Sequence, residues 1–201
     1  MYGIWLLSRL WKPRQTVQMT TKEISRRHFL RNTAVLGTFV SLPFSPSVFA
    51  TYANQPRTLQ FNNLHTGEIL ESCYFDGQRY VGSELARLNH LCRDHRRNEV
   101  YSMDAALFDQ INSIQGIIGS DAEVQIISGY RSPATNKALR AKSKAVAKKS
   151  YHMLGKAIDF RLDGVKLSEV KKAALSLKAG GVGYYPKSNF IHIDTGPARN
   201  W

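Results

Sequence analysis

Cysteine is scarce in this chain, with two residues in 201, Cys73 and Cys92. Neither has the spacing of a metal-binding pair or a nearby histidine that would mark a thiol nucleophile, which argues against cysteine chemistry. A disulfide between them stays open in an oxidising compartment, as does a free Cys92 on the apolar face of a helix. Acidic residues are also few: 15 Asp and Glu stand against 28 Lys and Arg, a net charge of +13. No apolar run reaches the ~20 residues that a membrane-spanning helix needs. The stretch from Ala34 to Phe44 falls short and is interrupted by Gly37 and Pro43. No internal repeat and no domain linker follows it.

The first 50 residues read as an address. Ser25-Arg26-Arg27-His28-Phe29-Leu30-Arg31 sets paired arginines before that apolar stretch, and Val48-Phe49-Ala50 supplies a small residue for cleavage. A basic region, a short apolar region and a small residue make a signal peptide. The twin arginine specifies the Tat route, so the Tat export machinery is an expected partner and the periplasm the expected destination. Cleavage after Ala50 is favoured, with Ala53 as second choice, and Met19 competes with Met1 as the start. The competing reading, a membrane anchor, requires a longer apolar run, so no stable anchor is expected after cleavage.

Residues 51–201 are long enough to form one domain with its own core. Seven Lys and Arg and one Glu precede residue 51, leaving 21 basic against 14 acidic groups, a net +7. An exported cationic domain is drawn to anionic lipid or cell-wall polymer rather than to nucleic acid. Murein, with its free carboxylates, is the natural polyanion there. The basic run Arg140 to Lys149 reads either as a solvated face or as a track for such a substrate.

Local pattern predicts an α+β domain, a small antiparallel sheet with helices packed on it. Thr58–Leu64 and Ile69–Phe75 form an expected hairpin. Leu85, Leu88, Leu91 and Cys92 place a helix over Ser83–Asn98, and Asp104 caps a second with Leu107, Ile111, Ile114 and Ile118 inward. Glu123–Ser128 is a strand that enters a loop, and a short helix follows over Ala134–Ala141. In the strand Ala157–Leu162, Ile158, Phe160 and Leu162 share one face and Asp159 and Arg161 the other. Ser168 caps a helix through Lys178, Gly180-Gly181 breaks it, and Val182–Tyr185 with Phe190–Asp194 closes the chain as a hairpin.

The chemistry concentrates in Ser150-Tyr-His152-Met-Leu-Gly155-Lys-Ala157-Ile-Asp159 and Phe190-Ile-His192-Ile-Asp194. His192 and Asp194 lie two apart on a strand and share a face. If the last hairpin lies beside Ala157–Leu162, then His152, Asp159, His192 and Asp194 converge. A lone histidine is ordinarily a satisfied or exposed imidazole. Four such groups among Ile and Phe are costly to bury unpaired, by several kcal/mol each. Two imidazoles and a carboxylate suit Zn²⁺ with a fourth position open, and a zinc ion there acidifies water to a pKa of about 7.

Ser150-x-His152-x-x-Gly155-x-Ala157-x-Asp159 and the upstream Ser128-Gly-Tyr130-Arg131-Ser132 resemble motifs of the D-Ala-D-Ala peptidase branch of the lysostaphin, D-Ala-D-Ala metallopeptidase and hedgehog-like superfamily. Arg140, Val146–Ser150, Gly180–Pro186 and His192–Trp201 resemble its exported murein endopeptidase K group, over essentially all of 51–201. The resemblance implies a hedgehog- and D-Ala-D-Ala-peptidase-like fold and zinc held by His152, Asp159 and His192. The implied substrate is the peptide cross-links of peptidoglycan. It also gives Arg131 a role in binding substrate or polarising its carbonyl, with a salt bridge inside the loop as the alternative. Ser150 is a substrate-binding candidate.

Many members of that branch carry Glu or Asp three residues before the last zinc histidine, where this chain has Asn189. An amide cannot take a proton, so Asp194 becomes the expected general base, with orientation of an imidazole N–H as its competing role. The functional expectation is a periplasmic zinc-dependent murein endopeptidase. The alternatives are a zinc-pinned murein-binding module without catalysis, and a murein carboxypeptidase.

Overall fold

The computed structural model describes residues 54–144 and 146–201; the expected export signal lies outside them. Seven strands form one sheet in the order β2-β1-β3-β4-β6-β5-β7. They are β1 (Arg57–Asn63), β2 (Ile69–Phe75), β3 (Val124–Ser128), β4 (Ala157–Leu162), β5 (Gly181–Tyr185), β6 (Phe190–Asp194) and β7 (Arg199–Asn200). Among the described residues four α-helices accompany them: α1 (Gly82–Leu91), α2 (Ala105–Ile118), α3 (Pro133–Lys142) and α4 (Leu167–Leu177). The domain is α+β as expected, but its sheet is mixed rather than purely antiparallel. β1 runs parallel to β3, and β5 runs parallel to β7. A parallel pair needs a long crossover, and between β1 and β3 the hairpin partner β2, α1 and α2 supply it.

The helices follow their apolar spacing. Leu107, Ile111 and Ile114 are fully buried along α2, Asp104 caps it by accepting from the Ala106 N–H, and Gly119 ends it in the left-handed region. α2 packs against α4 over the sheet, and one apolar cluster joins them to Leu59, Phe61, Ile126, Ile158, Phe160 and Ile191.

Two helix ends differ from the pattern. α1 stops at Leu91, well before Asn98, because Asp94 draws the chain into a turn: its carboxylate accepts from the backbone N–H of Arg96 and of Ser132. Side chains of this type offer the backbone an alternative to continuing a helix. α4 starts at Leu167, so Ser168 lies inside it and caps nothing, while Leu167 packs on the core. Cys73 and Cys92 are both free thiols, which closes the disulfide question. Cys92 is buried beneath Gly129, with its thiol pushed up to about 12 by burial.

Candidate metal centre

β4 and β6 are antiparallel neighbours, and their register sets Asp159 directly opposite His192. Alternation then does the sorting. Ile158, Phe160, Ile191 and Ile193 enter the apolar core, while Asp159 and His192 emerge together on the other face. His152 arrives from a single 3₁₀ turn, Tyr151–Leu154, that Gly155 ends with φ of 65°. A β-carbon on Gly155 would collide with the Ser102 carbonyl, so the motif needs glycine there for conformation and for space.

The three side chains converge. His152 Nε2 lies 3.2 Å from His192 Nδ1 and 3.3 Å from an Asp159 oxygen, which is itself 2.8 Å from His192 Nδ1. A four-coordinate ion with bonds of about 2.0–2.1 Å separates its ligand atoms by about 3.3 Å. Two edges of the triangle match that spacing, and the third is a hydrogen bond that an ion would replace.

The far side of each imidazole fixes its tautomer. His152 Nδ1 donates to the Gly129 carbonyl at 2.7 Å, and His192 Nε2 donates to Asp194 Oδ2 at 3.1 Å. With both outer nitrogens donating, both inner nitrogens present lone pairs beside a carboxylate. Three acceptors meeting at one point with no donor among them repel unless a cation joins them. The residues therefore fit a divalent metal of the zinc type.

Electrostatics point the same way. Burial by itself would raise the Asp159 carboxyl, but His152 and His192 outweigh it and hold the group well below the usual carboxylate range. Burial would lower His192, yet Asp159 and Asp194 raise it to about 9. Without metal, then, a proton on Nδ1 supplies the missing positive charge. A group raised from an ordinary 6.5 to about 9 contributes stability that is present in full below 6.5 and lost as pH rises through 9. Chelated protein should show its melting temperature falling across that window, while metal-loaded protein should hold steady because the ion replaces the proton. Thermal melts at several pH values check this, and a flat profile for chelated protein contradicts it.

Asp194 is fully buried, and its two oxygens accept five hydrogen bonds. Oδ1 takes the backbone N–H groups of Gly181 and Gly196 and one Arg199 nitrogen; Oδ2 takes His192 and the other Arg199 nitrogen at 2.6 Å. Burial tends to raise this carboxyl, and these donors hold it far below the ordinary range. Gly180 and Gly181 do more than break a helix. A β-carbon on Gly180 would strike the Asp194 carbonyl, and one on Gly181 would strike the Asp194 carboxylate and Arg199.

Arg131 reaches the cleft beside the triad, with one terminal nitrogen 3.2 Å from Ser128 Oγ and 3.5 Å from Asp159 Oδ2. Its Nε is buried and has no hydrogen-bond partner among the described residues. The loop that carries it is braced twice, by the Arg131 N–H on the His152 carbonyl and by the Ser132 N–H on Asp94. Ser150 lines the same cleft with Lys149, Tyr151, Tyr185, Arg199 and Trp201. Asn189, at the position where a carboxylate was absent, sits exposed at φ of 53°, a left-handed conformation that asparagine tolerates better than most residues.

Arg199 and Trp201 fall within a stretch that carries the family resemblance, but the sequence alone assigns no role to them or to the Gly129 carbonyl. β7 places Arg199 on Asp194 and sets the Trp201 ring 5.3 Å from His192, with the indole N–H bonded to the Tyr185 hydroxyl. Only the pairing of β7 along β5 reveals this.

Comparison with known proteins follows the same lines. Residues 51–201 match the model of the peptidase M15_2 family, described as peptidoglycan L,D-endopeptidase MepK. The chain is 58% identical over 154 residues to the peptidoglycan L,D-endopeptidase MepK of Escherichia coli K12, covering 76% of this chain and 85% of that one. It is 50% identical over 148 residues to the probable peptidoglycan L,D-endopeptidase MepK of Haemophilus influenzae, covering 73% and 80%. With three quarters of its length under that match, the chain belongs to the peptidase M15_2 family and is an enzyme of it.

Proposed function

We propose that this protein is a zinc-dependent endopeptidase that hydrolyses peptide cross-links of peptidoglycan in the periplasm, after export by the twin-arginine route. One observation carries the reading: three acceptors, the two imidazoles each oriented from behind, converge beside the mostly buried Arg131 guanidinium in an open cleft. The name L,D-endopeptidase, borne by the relatives, favours bonds from an L to a D centre. That description suits a link between two diaminopimelates better than one from D-Ala to diaminopimelate. The export route rests on the Arg26-Arg27 segment alone.

His152, Asp159 and His192 would hold the ion. A zinc ion so held supplies Lewis acidity and lowers the pKa of water to about 7. The chain's own groups do the rest. Gly129 and Asp194 fix the two imidazole tautomers, so the inner lone pairs stay aimed at one point. Arg131 lines the cleft where a scissile carbonyl gains negative charge and offers its terminal nitrogens as donors, and Ser150 and the aromatic wall orient the peptide.

Asp194 is assigned to positioning His192 rather than to taking a proton. Its five hydrogen bonds and complete burial leave no basic lone pair facing the cleft. Asp194→Asn should therefore weaken zinc affinity by roughly 10–100-fold, with turnover recovering at saturating zinc. Metal titration with parallel activity assays decides. Stoichiometric zinc with turnover down by about 10²–10⁴-fold would return Asp194 to the role of general base.

The function is tested with defined cross-linked muropeptide dimers and mass spectrometry of the products. Monomers should appear with zinc-loaded protein and stop on chelation. Cleavage that persists after verified metal removal sinks the zinc reading. Zinc-loaded protein that binds sacculi yet releases nothing from any dimer would leave only a binding module, and loss of a terminal residue without separation of the dimer would mean a carboxypeptidase.

A further inference from the structure

The 18 residues from Pro133 to Ser150 separate the Arg131 loop from the His152 turn. They contain Lys137, Arg140, Lys142, Lys144, Lys148 and Lys149 and not one Asp or Glu. Elsewhere most arginines of the domain are neutralised: Arg57 by Asp109, Arg87 by Glu84, Arg93 by Glu68, Arg97 by Glu99 and Arg199 by Asp194. None of the six cations in this segment has an ion-pair partner among the described residues, and all six are exposed.

The segment is anchored where the charges need it. Thr135 and Asn136 bury one side of α3, and the Asn136 amide donates to the Ala147 carbonyl at 3.1 Å, folding the following loop back on the helix. That loop then supplies Val146, Ala147, Lys149 and Ser150 to the wall of the cleft. On another side of α3, Ala138, Leu139 and Lys142 line a shallow groove with Arg96 and Arg97. The unneutralised charge therefore includes Lys149 at the cleft wall and the exposed cations of α3.

We infer that Lys137, Arg140, Lys142 and Lys144 form a rim that holds the carboxylates of neighbouring, uncleaved peptides on a polymeric anionic substrate, while one cross-link occupies the cleft. The inference rests on the proposed peptidoglycan reading, and it adds a second contact surface outside the cleft. Exposed charges on one short helix and its following turn act together on a multivalent anion, and their attraction weakens as salt screens it over a Debye length of about 8 Å at physiological ionic strength.

The test compares full-length processed protein with the variant Lys137→Gln/Arg140→Gln/Lys142→Gln/Lys144→Gln in pull-downs with intact sacculi. Unchanged zinc content and melting temperature would establish that the variant is folded. At low salt its retention should fall on the order of tenfold, which is about 1.4 kcal/mol spread over four exposed charges. Wild-type retention should drop as salt rises, and variant retention should change little. Chelated protein should show the same difference, because retention needs no hydrolysis; a failure of the peptidase reading would thus show in dimer assays and not here. Equal retention of the two proteins, or wild-type retention indifferent to salt, overturns the rim. A variant that loses binding to vesicles of anionic phospholipid while keeping its hold on sacculi overturns it in favour of a membrane surface.

Discussion

Alanine at His152, Asp159 or His192 should leave a folded protein that neither retains zinc nor releases monomers from cross-linked dimers. Each substitution removes one corner of the triangle whose edges are 3.2, 3.3 and 2.8 Å. Two remaining protein ligands do not define the tetrahedral site that three do. Losing the ion forfeits an acidification of water of about nine pKa units, so turnover should fall by 10³-fold or more, to background.

The three variants should differ in stability, and that difference is diagnostic. Asp159→Ala takes away the carboxylate that pairs with both imidazoles and leaves His192 with Asp194 alone. His152→Ala opens a gap beneath Gly129 but leaves the Asp159–His192–Asp194 chain whole. Metal analysis, melting temperature and dimer turnover on the same samples check all three. A variant that kept stoichiometric zinc and full turnover would remove that residue from the ligand set.

Much of the centre was legible because it is built from local rules. Strand alternation puts Asp159 and His192 on polar faces of strands otherwise made of Ile and Phe, and one pairing event makes them neighbours. The His152–Gly155 turn is readable for the same reason, since a left-handed glycine ends it. The fold class followed from interleaved strand pairs and helices. What escaped was long-range register. Nothing in Arg199-Asn-Trp201 as a string says that it runs beside Gly181-Val182, and only that pairing seats Arg199 on Asp194. The parallel pairs were missed on the same ground: strand direction depends on how crossovers pack, which periodicity does not record. The end of α1 was hidden in Asp94, whose carboxylate satisfies Ser132 in a loop 38 residues away.

Arg131 offers the second large effect, and here the competing roles separate cleanly. Its guanidinium is mostly buried; burial lowers its pKa but leaves the group a cation, and Asp159 is the carboxylate it approaches. A buried charged donor whose Nε lacks a partner among the described residues is costly to keep without a use, since unmade hydrogen bonds of buried groups cost about 1–3 kcal/mol. The terminal nitrogens of Arg131, which lines the cleft, are the donors that an incoming carbonyl oxygen would meet as it gains charge during attack. Arg131→Gln should thus lower turnover on the order of 10²–10³-fold while zinc stays stoichiometric, the size of effect seen when one oxyanion donor is removed. Arg131→Lys should recover little of it, because an ammonium keeps the charge but not the planar fork that reaches Ser128, Asp159 and the cleft together. If Arg131 served only to pin its loop by pairing with Asp159, the pattern would invert. Zinc affinity and melting temperature would fall in Arg131→Gln, Arg131→Lys would restore both, and turnover per bound zinc would stay at the wild-type level. Zinc titration, thermal melts and dimer kinetics on the two variants tell these outcomes apart, and turnover per zinc is the quantity that decides.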